Sequence, residues 1–476
     1  MLTYTLNAQG DVPLYEQLYK MLKNDIAYGT LSGGVKLPSR RSFASNLGVS
    51  TITVENAYAQ LIAEGYIYSL PKKGYFVSEI GPTAAAVPQI AAGSMQVMPV
   101  TPDRETESRD NFPVIADFTG SRTASENFPF SIWSKLIREL LSDSRYDLLT
   151  NAPAGGVPEL RQAIADHLQA FHGMHISPDQ VIIGAGTEYL YGILIQLLGF
   201  DLHYGVEDPG YRKISRIYRS HQVKCGFIPM DHHGVRTDIL REKKVDVIHI
   251  SPSHQFPTGI TMPAARRYAL LGWAAESDSR YIIEDDYDSE FRLTGQPIPP
   301  LMSIDTLEKV IYINTFTKTL SSTVRISYMV LPPHLVERYY RKLSFYACTV
   351  STFEQYTLAA FITRGYFEKH INRTRNDYRA LRNALLEAIR VSPLAHFVKI
   401  TGEDAGLHFL MHVDTALSDE AFSKKAKEKG ILLNALSGYY QVPPEDLRHI
   451  FVMNYTSVNA GAVGPAILAL SEIVCG

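Results

Sequence analysis

A chain of 476 residues exceeds what one hydrophobic core ordinarily organises, so two or three domains are expected. Its 45% apolar and 20% charged residues exclude a disordered or fibrous protein. A net charge of −3 excludes wholesale coating of a polyanion and leaves room only for a local basic patch. Cys225, Cys348 and Cys475 are far apart and form no CxxC pair, which suits a reducing cytosol and gives no metal signature. The opening MLTYTLNAQGDV has no basic stretch followed by an apolar run, and no apolar stretch is long enough to span a bilayer. A cytoplasmic protein without a membrane partner is the expectation.

Leu14, Leu18, Leu22 and Ile26 recur at helical spacing before Gly29, which predicts a first helix and its stop. The turn-rich GGVKLPS follows, and Ser39 is placed to cap a second helix carrying Phe43, Ala44 and Leu47. After a tight turn at Gly48, Ser50 caps a third helix that presents Val54, Ala57, Leu61 and Ile62 inward and ends at Gly65. YIYSLPKKGYFV holds two short β-prone runs around Pro71 and Gly74, the pattern of a hairpin. Three helices and a hairpin make a winged helix-turn-helix, placed at residues 1–80.

In such a motif the N-terminal residues of the reading helix meet base edges in the major groove. Here those are Ser50, Thr51, Thr53 and Asn56. Arg40, Arg41, Lys72 and Lys73 are positioned to neutralise phosphates or enter the minor groove, and Gly74 lets the wing approach the DNA backbone. A protein-binding winged helix with scattered surface charge is the other reading of the same residues. The order LPSRR, LGVS with a threonine-rich helix, EGYI and GYFV resembles the GntR-type winged helix over residues 11–78. That resemblance implies double-stranded promoter DNA as a partner. Thr51 and Glu55 stand where many relatives of that type carry arginines.

Residues 81–112 are rich in Ala, Pro, Ser and charge without a sustained period, and read as a linker. From 113 to 476, short apolar runs alternate with longer helical patterns: VIIGAG (181–186), VDVIHIS (245–251), YIIEDD (281–286), VIYIN (310–314) and ISYMVL (326–331). This predicts an α/β domain whose parallel or mostly parallel sheet is covered on both faces. Charged helical sequence after about residue 365 predicts a smaller α+β C-terminal lobe.

Within this second part, INTFTKTLSSTVR (313–325) sets Lys318 among hydroxyl side chains, with Arg325 seven positions on. An amine that forms an imine must spend time unprotonated, so it needs desolvation or neighbouring positive charge. A solvated loop lysine is the ordinary alternative. Upstream, YIIEDDYDSEF follows a buried strand with a run of acids and a phenol. Alternation along a strand turns Asp285 and Tyr287 to one face and Asp286 and Asp288 to the other. A carboxylate at the strand's C-terminal end, aimed at a protonated pyridine nitrogen, holds that ring as an electron sink, and the phenol can hydrogen-bond the ring's 3-oxygen. The same acids could instead bind a divalent metal, cap the next helix or pair with Arg292, although no further ligands stand at metal-binding spacing.

GAGTEY joins a strand to a helix, so Gly186, Thr187 and Glu188 offer amides to a phosphate at a helix N-terminus. The third glycine of GxGxxG is absent, which argues against a dinucleotide. Arg325, with the hydroxyls of Thr315 and Thr317, is placed to close on the same phosphate. Tyr211, in EDPGY, either reaches the ring or phosphate or packs as an ordinary aromatic.

Together GAGT, EDPGY, SPSHQFPTG, IIEDDYD, TFTK and Arg325 resemble the fold-type-I, aspartate-aminotransferase-like family over roughly residues 115–476. The resemblance implies a pyridoxal 5′-phosphate cofactor, with Lys318 forming the internal aldimine, Asp285 facing the pyridine nitrogen, Tyr287 bonding the 3-oxygen and Arg325 holding the phosphate. Where aminotransferases usually have NPTG this chain reads FPTG, so Phe256 replaces an asparagine that bonds the ring oxygen. Arg448, in DLRHIFVMNY, matches the position of a substrate-carboxylate anchor, with a surface salt bridge as the alternative; Lys213 is a second candidate. His408, in AGLHFL, reads as a satisfied core or interface residue.

A winged helix fused to such a body resembles, almost end to end, the MocR branch of GntR-type regulators. It implies a homodimeric, pyridoxal-phosphate-dependent transcriptional regulator that senses a small amine or amino acid, or the cofactor itself, through aldimine exchange at Lys318. A working aminotransferase with an accessory DNA-binding domain is the alternative, and whether the body turns substrate over stays open at this point.

Overall fold

Leu18, Leu22 and Ile26 are buried along one side of the first helix, α1 (Leu14–Ala27), because every fourth residue of a helix returns to the same face. The computed structural model describes residues 2–8, 12–79, 113–120, 128–143, 146–293, 295, 298–404, 406–445 and 447–475. By its internal contacts the chain divides into two units, Met1–Ser108 and Arg109–Gly476. Residues 81–112, read above as a linker, lie outside the described residues.

In the first unit, α2 (Arg40–Leu47) starts at Ser39, whose hydroxyl accepts from the Ser42 amide at 3.2 Å, and stops at Gly48 in the left-handed region. Ser50 caps α3 (Thr51–Ala63) in the same way, accepting from the Thr53 amide at 3.1 Å. Each cap satisfies an amide that the helix itself cannot. Val54, Ala57, Tyr58 and Leu61 follow the three-and-four spacing into the core. Ile62, expected inward, is one residue past that stripe and turns to the rim, 39% exposed. The expected hairpin is β2 (Ile67–Leu70) with β3 (Gly74–Val77). A third strand lies in the segment read as a turn-rich break: β1 (Lys36–Leu37) pairs antiparallel with β3. Two residues are too few to show a period, which is why the sequence hid it.

In the second unit, β4 (Ala116–Asp117) comes first and is used in the C-terminal lobe. The main sheet then has eight strands: β5 (Val181–Gly184), β6 (His203–Asp208), β7 (Lys224–Asp231), β8 (Gly234–Val235), β9 (Val247–Ile250), β10 (Tyr281–Asp285), β11 (Val310–Thr315) and β12 (Ser327–Val330). Their order is β5-β12-β11-β10-β9-β6-β7-β8. Strands β7, β6, β9, β10 and β11 run parallel, whereas β12 is antiparallel to both neighbours and β8 is antiparallel to β7. The sheet is covered on both faces. Adjacent Ile282 and Ile283 of β10 enter different apolar clusters, one with Trp273 and the other with Leu194.

In the C-terminal lobe, the 26-residue helix Tyr366–Val391 buries Phe367, Ile371, Tyr378, Leu385 and Ile389. An antiparallel sheet stands in the same lobe, formed by β13 (Val398–Thr401), β14 (His408–Val413), β16 (Asn434–Ala435) and β17 (Ile450–Asn454) in the order β13-β14-β17-β16. The lobe also has β15 (Ile431–Leu432), which pairs parallel with β4 and so ties residues 116–117 to the far end of the chain. Among the described residues no helix is long and apolar enough to cross a membrane.

Candidate functional site

Glu207 and Asp285 at the carboxyl ends of β6 and β10, Thr315 at that of β11, and Ser251 just after β9 all line one cavity of about 740 Å³. Ligands of open α/β sheets bind beyond those strand ends. Lys318 reaches the cavity from a single helical turn, Phe316–Thr319, that follows β11 directly. Thr315 caps that turn by accepting from the Thr317 amide at 3.2 Å. The Lys318 side chain is half-buried and has no hydrogen-bond or ion-pair partner among the described residues. Burial lowers its pKa, and the charge of Asp288 opposes part of that shift. An ammonium so placed gives up its proton more readily than in water, which a nucleophilic amine requires.

Asp285 ends β10. Its Oδ2 accepts from the Tyr191 hydroxyl at 2.6 Å and lies 3.3 Å from His249 Nε2. Its Oδ1 is buried without a partner among the described residues. A buried acceptor left unpaired is costly, so the geometry favours a ligand that brings a donor, and a protonated pyridine nitrogen is one. Tyr191 and His249 were not anticipated from the sequence. The available signal was a lone histidine in an otherwise apolar strand, VIHI.

Tyr287 lines the cavity with Asp285, while Asp286 and Asp288 turn elsewhere. Asp286 accepts from the Tyr312 hydroxyl at 2.8 Å and stands 3.5 Å from His172. Asp288 lies 2.7 Å from His254 Nδ1, which is also 3.1 Å from the Tyr287 hydroxyl. These contacts do not involve Arg292, the partner considered for the acidic run. β10 stops at Asp285, so the split between the two pairs persists past the strand through side-chain partners rather than pleat. Burial, reinforced by Asp288, raises the Tyr287 phenol well above its ordinary pKa, so it remains a donor at neutral pH.

The other end of the cavity suits a phosphate. Gly186 precedes the helix Thr187–Leu198 with a φ of 96°, in the region that favours glycine. A Cβ there would lie 2.4 Å from Arg325 Nη2, so the absent side chain makes room for the guanidinium. Thr187, Glu188, Thr315, Thr317 and Arg325 line this end. The Thr315 hydroxyl is engaged with Thr317 at 2.9 Å and Ser327 at 2.8 Å, which leaves Thr317 as the freer hydroxyl donor. The Glu188 carboxylate pairs with Lys213 and lies 3.6 Å from Arg325. The unpartnered Asp285 Oδ1 and the Gly186–Arg325 cradle together fit a phosphorylated pyridine.

Tyr211 is 53% exposed and meets Phe256 edge-on, ring centroids 6.1 Å apart, on the cavity wall. His408 is buried, with Nε2 3.0 Å from the Pro257 carbonyl, and also borders the cavity. Lys213 lines the cavity, but the structure does not bring Arg448 to it. Arg448 is exposed and precedes β17, which is buried from Phe451 to Asn454. Arg212, missed in the sequence, does line the cavity, and its Nη2 donates to the Tyr440 carbonyl at 2.7 Å.

In the first unit the groove-reading candidates cluster at the start of α3, where Ser50, Thr51 and Asn56 are exposed and Thr53 is half-buried. Arg40 pairs with Glu55 of α3. Arg41, Lys72 and Lys73 are exposed, and the wing turns through Lys72 (φ 61°) and Gly74 (φ 106°).

Residues 14–77 match the family described as bacterial regulatory proteins, gntR family, and residues 124–459 match aminotransferase class I and II. The chain is 40% identical to the HTH-type transcriptional regulator YdeL of Bacillus subtilis over 93% of each chain. It is 33% identical to the probable rhizopine catabolism regulatory protein MocR of Rhizobium meliloti, over 92% of this chain and 90% of that one. A solved kynurenine aminotransferase of Pyrococcus horikoshii, 26% identical, superposes with a TM-score of 0.66 over 76% of this chain and 91% of its own. Likeness to regulators across both units, and to an enzyme across the second alone, separates a fused regulator from a plain aminotransferase. The chain belongs to the MocR-type HTH transcriptional regulators, which join a GntR DNA-binding domain to a pyridoxal-phosphate-dependent body of the aminotransferase class I and II fold.

Proposed function

We propose that the body (residues 113–476) is an amine detector that governs promoter binding by the head (residues 1–80) through the linker (residues 81–112). Bound there, pyridoxal 5′-phosphate supplies an aldehyde that condenses with primary amines. Lys318 is the chain's own amine for that aldehyde. A small amine or amino acid entering the cavity would take the place of Lys318 on that aldehyde, and Lys318 would be released as a free amine, its nitrogen gaining the hydrogens that the incoming nitrogen loses. The observation that supports this reading most directly is Lys318 itself, half-buried, with a lowered pKa and no partner among the described residues.

In this reading Asp285 receives the pyridine N–H, and Tyr287 donates to the 3-oxygen. The amides at Gly186, Thr187 and Glu188, together with Arg325 and Thr317, hold the phosphate; Thr315 acts through the cap it forms. Tyr211 and Phe256 wall the ring. Lys213 and Arg212, rather than Arg448, stand where an effector carboxylate enters. Two copies pair in the cytoplasm, so two heads read half-sites about 34–36 Å apart or a multiple of that. A coupling of about 1–3 kcal/mol between the two sites alters promoter occupancy severalfold.

Borohydride reduction followed by peptide mapping tests the chemistry, with the pyridoxyl tag expected on Lys318; a tag elsewhere, or none, overturns it. Absorbance titration with an amine panel, repeated with promoter DNA, tests the sensing. A shifted cofactor band with altered DNA affinity and no accumulating keto acid is expected. Many cycles of keto-acid formation with unchanged DNA affinity would put an aminotransferase in its place.

A further inference from the structure

Ile52 stands on the first turn of α3 with 67% of its surface exposed, between exposed Thr51 and half-buried Thr53. This is the turn that a helix-turn-helix offers to base edges in the major groove. The polar side chains around it are largely engaged inside the head. Ser50 Oγ accepts from the Thr53 amide at 3.1 Å and lies 2.9 Å from the Thr53 hydroxyl. Glu55, on the next turn, is paired with Arg40. The first turn, Thr51 to Val54, carries no charged residue.

A solitary exposed isoleucine is ordinary on a protein surface. Ile52 differs in its location. Val54, Ala57, Tyr58 and Leu61 already fill the core-facing stripe of α3, so Ile52 is not spare core turned out by a frayed end. It faces out because the helix period points it there, at the place where DNA arrives. Base edges in the major groove present hydrogen-bonding groups to every side chain, with one apolar exception, the thymine 5-methyl. An arginine in this turn would seek guanine; an isoleucine has nothing to offer guanine, and its branched surface matches a methyl group.

We infer that Ile52 is a specificity-determining residue that packs on a thymine 5-methyl in each half-site. Specificity at that base pair then comes from apolar contact, with Thr51 and Asn56 left to supply the hydrogen-bonded readout on either side. The claim concerns the head and DNA alone and stands apart from amine sensing by the body.

The test uses the full-length protein and a duplex it selects from a random-sequence pool. Each dT of that duplex is replaced singly by dU, which removes the methyl and keeps the pairing. The wild-type protein is expected to lose about 4-fold in affinity at one thymine per half-site, the value of one buried methyl. Ile52→Ala is expected to bind the parent duplex more weakly and to stop distinguishing dT from dU at that position, while keeping its response at the others. Because the side chain is exposed, its thermal unfolding should match that of the wild type. Equal binding of every dU duplex by the wild-type protein overturns the inference without recourse to any variant. So does a thymine preference that survives in Ile52→Ala, or a pool that yields no preferred duplex.

Discussion

At Gly186 the absence of one carbon atom decides how closely Arg325 can approach the start of the helix Thr187–Leu198. The glycine's positive φ and the 2.4 Å between a virtual Cβ and Arg325 Nη2 act together, so Gly186→Ala both strains the backbone and displaces the guanidinium. Strain of this kind costs about 1–3 kcal/mol. Cofactor affinity, read from the visible absorbance on titration, should therefore fall roughly tenfold, with promoter affinity of the cofactor-free protein unchanged. Lys318→Ala should behave in the opposite way with respect to folding. Removing a desolvated amine that has no partner among the described residues leaves the unfolding midpoint of the cofactor-free protein within about 0.5 kcal/mol of wild type, while abolishing the borohydride-stable tag. A large loss of stability would mean that Lys318 holds the fold rather than the ligand. Residues of this sort were legible because each sits at the end of a strand or the start of a helix, where local sequence sets direction. Tyr191 and His249 were not, since they meet Asp285 across 94 and 36 positions of chain.

Among the elements, β6, β10 and the segment that follows β10 carry carboxyl groups that water barely reaches. Burial pushes Glu207 up to about 8, Glu284 to about 7, Asp286 to about 6 and Glu290 to about 8. Between the ordinary carboxylate range near 4 and these raised values, the folded body holds protons that the unfolded chain has released. Folding stability contributed by these groups is thus full at low pH and is lost as pH rises through roughly 4.5 to 8. Glu290 is the clearest case, since its Oε2 is buried without a partner among the described residues while Asn314 Nδ2 donates to Oε1 at 3.3 Å. Glu290→Gln keeps the shape and that contact but never ionises. Denaturant unfolding should show a smaller fall in stability between pH 6 and pH 8.5 for the variant than for wild type, by at least about 1.4 kcal/mol, the worth of one pKa unit. Equal slopes would place the proton on another group. The same elements mark what pattern can and cannot convey. β5, β9, β10, β11 and β12 announced themselves as largely apolar runs because both their faces are covered. β6 and β7, HYGVED and KCGFIPMD, are interrupted by Gly205, Gly226 and Pro229 and left no such trace. The reversed direction of β12 is invisible to composition, since a buried strand reads alike whichever way it runs.

For the molecule as a whole, the link proposed between the two units is a free energy, and free-energy coupling is reciprocal. An amine that alters promoter affinity by some factor must have its own affinity altered by the same factor when promoter is bound, roughly 5–150-fold for a coupling of about 1–3 kcal/mol. The order of motifs along the chain made both units recognisable, but coupling has no local signature and has to be measured. Arg41 is a suitable lever. It is exposed and has no ion pair among the described residues, whereas Arg40 is held by Glu55, so removing Arg40 would also release a carboxylate beside the groove. Arg41→Ala should weaken binding to all duplexes alike and reduce the dependence of log affinity on log salt by about 1, as expected for one phosphate contact. Its cofactor uptake should stay at the wild-type value. At a promoter concentration that saturates wild type but not the variant, the amine titration of wild type should shift with DNA, while that of Arg41→Ala stays near its DNA-free position. If the variant's curve moved as far as the wild type's, Arg41 would not be touching DNA. If neither moved, the amine site and the promoter site would be energetically independent, and the body would have to be read as an enzyme carried by a DNA-binding protein.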